Sequence, residues 1–117
     1  MAEIRRERSA NGPAVTGFRG RALLVDGVAR TGGVILTPTA ATDWDGGDLA
    51  AAADLSPLPE FILFGSGSTL ERPDPQVVAA LEARGIGVEV MDTRAAARAW
   101  SLLRGEDRWI SAALRPL

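Results

Sequence analysis

The chain has 117 residues, a length that suits one folding domain able to bury a core without covalent staples. Its net charge of −2, with arginines interleaved among acids, argues against a nucleic-acid footprint, and no apolar run approaches the ~20 residues that span a bilayer. His, Cys, Lys and Tyr are all absent, which excludes Ser-His-Asp and Cys-His nucleophiles, lysine Schiff bases and zinc sites built from Cys and His.

Any catalysis would therefore run on carboxylates, hydroxyls, arginine and backbone amides. No cofactor and no metal is expected. All 13 basic residues are Arg, which reads as compositional bias, since exposed faces have no physical reason to reject lysine.

Residues 1–12 read as a flexible tail, and 13–117 as a single domain. The start, Met1-Ala2-Glu3-Ile4-Arg5-Arg6-Glu7-Arg8, has charges but no apolar stretch, so it is not read as a secretory signal. Ala14 to Leu36 reads as antiparallel β, with apolar, β-branched runs at Arg21–Val25 and Gly33–Leu36. The reversal between those runs falls either at Asp26-Gly27 or within Arg30-Thr31-Gly32-Gly33. Thr37-Pro38 ends that region, because proline cannot donate to a ladder. From Thr39 to Pro59 the pattern is poor, apart from a short helical turn over Ala50 to Asp54 that begins near Asp48.

The second half carries clearer signals. Phe61-Ile62-Leu63-Phe64 is a short continuous apolar run, as expected of a strand buried on both faces, and it leads into Gly65-Ser66-Gly67. A helix follows with Asp74 as N-cap, Pro75 at its first position and Gly85 as its stop; Val77, Val78, Ala80 and Leu81 face inward. Gly87 to Met91 is the next strand. Asp92 or Thr93 then caps a helix that runs to about Arg104, with Ala96, Trp100 and Leu103 on its core face. Trp109 to Leu114 reads as a last strand, and Trp44, Trp100 and Trp109 as core anchors. The fold class is thus α/β: a layered fold with a mixed β-sheet, its N-terminal antiparallel region followed by β-α-β-α-β.

A crossover helix makes its flanking strands parallel, so both end at the same edge of the sheet. Gly65, Ser66, Gly67, Asp92 and Thr93 should meet there, in the crevice where open α/β sheets hold ligands. Glycines admit a close backbone approach, and amides at a helix N-terminus favour an anion. The same residues also fit a plain turn and a plain helix cap. They form neither a dinucleotide fingerprint, which needs a third glycine, nor a Walker loop, which needs a lysine. Glu89 needs a partner if buried, and Arg108 is a candidate to pair with it or with Asp92. Asp43 and Asp45 sit in turn-like sequence, and Glu106-Asp107-Arg108 reads as a solvated turn.

Several segments resemble the Mth938 domain family, a DUF498-like group. They are Ile62-Leu63-Phe64-Gly65-Ser66-Gly67, then Gly85-Ile86-Gly87-Val88-Glu89-Val90-Met91-Asp92-Thr93, then Ala95-Ala96-Ala97, and Glu106-Asp107-Arg108 with Ala112-Ala113-Leu114. Gly17-Phe18, the Gly33 to Pro38 strand and Trp44 extend the likeness over nearly the whole chain from about Gly12. The resemblance implies a compact β/α fold. It also implies kinship with a mitochondrial assembly factor for respiratory complex I, a protein that works by binding partners. Two positions depart from the family pattern: Ser101 stands where relatives carry Asn after an aromatic residue, and Ala97 where many carry Cys. Shared cysteine chemistry is therefore not expected.

Two functions follow. The first is a non-catalytic interaction protein, which the resemblance would place in complex I assembly. Its partners would be respiratory-complex subunits or assembly proteins, and it would be cytoplasmic, reaching the inner membrane only through a partner. The second is a small anionic-ligand binder or weak enzyme using the Gly65–Thr93 crevice. A homodimer is the default symmetric state.

Overall fold

The computed structural model describes residues 12–117, so all of the expected tail except Gly12 lies outside the described residues. The chain opens with β1 (Val15–Arg19), β2 (Ala22–Val25) and β3 (Val28–Arg30), an antiparallel three-stranded sheet in sequence order. Asp26 and Gly27 make the tight reversal between β2 and β3 with φ of 50° and 81°, the double positive φ of a type I′ turn. Thr31-Gly32 then passes the chain into a second sheet. The two apolar runs expected to pair are thus not partners: Asp26-Gly27 makes a hairpin, and a short third strand lies between the runs before the chain enters the second sheet. Burial explains the separation. All four residues of β4 (Gly33–Leu36) are buried, and a strand with no solvent face belongs in a sheet covered on both sides.

That sheet is mixed and has five strands in the order β5-β4-β8-β6-β7. β5 (Ala41–Trp44) lies in the stretch that showed no strand pattern; it is a hairpin edge with Thr42 and Asp43 exposed. A 3-10 turn over Leu49–Ala53 follows, its Asp48 cap accepting from the Ala50 amide at 2.9 Å. Next come β6 (Phe61–Gly65), α1 (Pro75–Ala83), β7 (Gly87–Met91), α2 (Thr93–Gly105) and β8 (Ser111–Leu114). β6 runs parallel to both β7 and β8, and β8 is antiparallel to β4.

Strand alternation splits the core in two. Val34, Leu36, Leu63, Ala112 and Leu114 face one side, where they meet Leu23 and Val25 of β2 and Ala96 and Trp100 of α2. Ile35, Ile62, Phe64 and Ala113 face the other, under Leu81, Ile86 and the 3-10 turn. The step from β6 to β7 goes one way along the sheet, and the step from β7 to β8 goes back across β6. Two right-handed crossovers in opposite directions put their helices on opposite faces.

Both helices start as expected: the Asp74 carboxylate accepts from the Gln76 amide at 2.9 Å, and Asp92 from the Ala95 amide at 3.0 Å. The apolar stripe of α1 is narrower than expected. Leu81 is buried and Val77 and Val78 are half-buried, but Ala80 is exposed, since it lies roughly 100° round the helix from Leu81.

Candidate functional site

The reversal of direction around β6 creates a switch point between the carboxyl ends of β6 and β8, and the structure brings Gly65, Ser66, Gly67 and Thr93 together there. Backbone bonds join the loops: the Thr93 amide donates to the Gly67 carbonyl at 2.8 Å, and the Ser66 amide to the Met91 carbonyl at 2.9 Å. The fully buried Thr93 hydroxyl accepts from the Gly67 amide at 2.8 Å and donates to the Arg115 carbonyl at 2.8 Å. The Ser66 hydroxyl donates to the Thr69 carbonyl at 2.7 Å and accepts from the Glu71 amide at 2.9 Å. Asp92 stands beside this cluster as the cap of α2.

The chain's own continuation from β8 fills the crevice. The Arg115 amide donates to the Gly65 carbonyl at 2.9 Å, and the Leu117 amide to the Arg21 carbonyl at 2.9 Å. Arg115 donates from Nε to the Gly46 carbonyl at 2.9 Å and lies over the Phe64 ring, 5.0 Å from its centroid. Gly65 is required by packing: a Cβ there would come within 2.8 Å of Leu114 Cδ2 and 3.0 Å of Thr93 Cα. The glycine therefore makes room for protein, and the Ser66 and Gly67 amides and the Thr93 hydroxyl are already bonded within the chain.

Arg108 pairs with neither Glu89 nor Asp92. Its partner is Glu60, with Nη2 to Oε1 at 3.0 Å and Nε to Oε2 at 3.2 Å, and the Trp109 amide joins the same carboxylate at 3.3 Å. Parallel register is the reason: Ile62 lies beside Ser111, which brings residue 60 beside residue 109 at the start of both strands. Glu89 sits in the middle of β7, on the far side of β6, and is exposed. There it places a charge on an edge strand, where charge discourages pairing with another chain. The Arg108 hydrogen bonds, with lesser help from its charge and from the Trp109 amide, hold the Glu60 carboxyl below its ordinary range, against an opposing desolvation that exceeds the charge effect alone.

Open space lies elsewhere. One cavity of about 510 Å³ is bounded by Pro13, Thr16, Asp26, Trp100, Ser101 and Arg104, and a second of about 300 Å³ by Val15, Thr16, Phe18, Arg94, Arg98 and Ser101. Both lie between β1 and α2. The arginines here were not singled out from the sequence, although Arg94 and Arg98 stand four residues apart on a helix, a spacing that shares one face. Among the described residues, no cluster of three or more acidic side chains could hold a metal ion. None of the described helices is long and apolar enough to cross a membrane.

Comparison with known proteins extends these findings. The family described as "Protein of unknown function (DUF498/DUF598)" matches residues 15–115. An uncharacterized protein of Rhodobacter capsulatus is 34% identical over 94 residues, covering 80% of this chain and 76% of that protein. The NADH dehydrogenase [ubiquinone] 1 alpha subcomplex assembly factor 3 of Bos taurus is 31% identical over 110 residues, covering 87% of this chain but only 60% of the assembly factor. A solution NMR structure of a Bordetella pertussis protein, described as a Mth938-like domain, matches with a TM-score of 0.78 at 26% identity, over 89% of this chain and 85% of that one. The expected layered α/β fold and the family resemblance are both borne out.

Proposed function

Because the chain belongs to the DUF498/DUF598 family, we propose that it is a non-catalytic interaction protein that assists assembly of respiratory complex I. The observation that carries this reading is the 31% identity to the bovine assembly factor along 87% of the chain. Two features support it. Histidine, cysteine and lysine, which supply many catalytic nucleophiles and proton shuttles, are absent, and the switch-point crevice is occupied by residues of the same chain. The shared part is about 60% of the assembly factor, so the partners belong to the proposal: subunits or assembly proteins of the complex, met on the cytoplasmic side of the inner membrane. Residues 13–117 act as one domain in this reading.

The test is deletion of the gene in its native host, followed by native gel electrophoresis of solubilised membranes and NADH oxidation by those membranes. Loss of mature complex I with accumulation of subassemblies, restored by the intact gene, is the expected outcome. Normal levels of the mature complex in the deletion strain would rule the reading out.

A further inference from the structure

β1 is an edge strand of the three-stranded sheet, and α2 runs beside it. The two cavities between them adjoin, sharing Thr16 and Ser101 in their walls, and together they trace a trough along β1 and α2. Its walls follow β1 from Phe18 back to Pro13 while they follow α2 from Arg94 forward to Arg104, so strand and helix lie side by side in opposite directions.

The charge in this trough opposes that of the molecule. The chain carries −2 overall, yet among the described residues the exposed charges lining the trough are Arg94 and Arg98 on α2 and Asp26. Arg104 is buried and bonded to the Arg108 carbonyl. Asp26 already accepts from the Ala14 amide at 3.1 Å. Arg94 is steadied over the face of Phe18, 4.8 Å from the ring centroid. Arg94 and Arg98 are exposed, and among the described residues neither meets a carboxylate. Val15, half-buried, is an apolar residue of β1 beside these charges, while Ala97 and Trp100 below them are buried.

Spacing selects the ligand. Arg94 and Arg98 are four residues apart on a helix, a rise of about 6 Å. Alternate residues of an extended chain are about 6.6 Å apart and point the same way. A strand added to β1 would bond to backbone groups directed away from β2 and carry carboxylates on every second residue towards the arginines. We propose that the β1–α2 trough is the docking surface for an extended acidic segment of a partner protein, with carboxylates on alternate residues. This rests on the interaction-protein reading and adds where the partner binds and what it presents.

The probe is a fluorescein-labelled seven-residue peptide of alternating glutamate and valine, titrated by anisotropy and followed by amide NMR. Glutamine–valine and lysine–valine peptides serve as controls. The glutamate peptide is expected to bind at least tenfold more tightly than the glutamine one, to loosen as salt rises, and to shift amides along Val15–Phe18 and α2. The double variant Arg94→Glu, Arg98→Glu should lose that binding at least tenfold and take up the lysine peptide, which also shows that it folds. Absence of binding, equal binding of the glutamine peptide, or an unaffected double variant overturns the proposal. Displacement by single-stranded DNA at equal charge concentration overturns it in favour of a nucleic-acid site.

Capture from the native host separates this proposal from the reading beneath it. Partners held by the wild-type chain and equally by the double variant would sink the trough and leave the interaction reading standing. A wild-type chain that enriches nothing would sink the interaction reading itself.

Discussion

Thr93 joins three segments of the chain through one hydroxyl, accepting from Gly67 and donating to Arg115. Thr93→Val keeps the volume but strands the buried Gly67 amide. It should cost about 1–3 kcal/mol in urea unfolding, with Thr93→Ser recovering part of the loss. Gly65→Ala tests the same junction by packing, since its Cβ would meet Leu114 Cδ2 at 2.8 Å; about 1–3 kcal/mol is the expected loss. A stability equal to wild type in either variant would mean that the crevice can open. Glu60 gives a pH signature. Its folded pKa is depressed, chiefly by hydrogen bonds from Arg108, so the stabilisation is fully present above the ordinary glutamate range and is lost as pH falls through the folded value. Glu60→Gln should therefore be less stable than wild type at neutral pH and equal to it in acid. A constant difference across the pH range would contradict the assignment.

The elements owe their ends to single residues and their faces to the sheet. Asp74 and Asp92 each satisfy an amide in the first turn of a helix, and replacing either with Ala should lower stability by about 1 kcal/mol. Trp100 holds α2 against the sheet. It is fully buried, and its indole donates to the Pro13 carbonyl at 2.8 Å. Trp100→Ala should cost about 3–5 kcal/mol by thermal or urea unfolding, and a loss below 1 kcal/mol would show that Trp100 is not the anchor of this face. These signals were legible in the chain: an Asp before Pro75, an Asp-Thr pair before an alanine-rich run, and Ala96 and Trp100 at helical spacing. β5 was not legible. Thr42 and Asp43 are exposed, and its hydrogen bonds to β4, more than its side chains, make it a strand.

For the whole molecule, the central strands β8 and β6 are covered on both faces and paired on both edges, whereas β3 is paired on one edge only. Hydrogen exchange should accordingly be slowest in Ile62–Phe64 and Ala112–Ala113 and much faster in β3. Comparable protection in β3 would mean that the small sheet unfolds only with the whole. Composition and local pattern by themselves determined the α/β class, the helix ends, the parallel strand pairs and the exclusion of histidine, cysteine and lysine chemistry. Each of these depends on residue type or on neighbours a few positions apart. Tertiary structure alone decided that β3 and β4 part into different sheets, that Arg108 takes Glu60 and not Glu89, and that residues 115–117 fill the switch point. It alone set Arg94 and Arg98 along a trough beside β1. Those outcomes depend on the order of strands across a sheet and on which surfaces a crossover brings together, and contacts between distant segments leave no periodic trace in the chain.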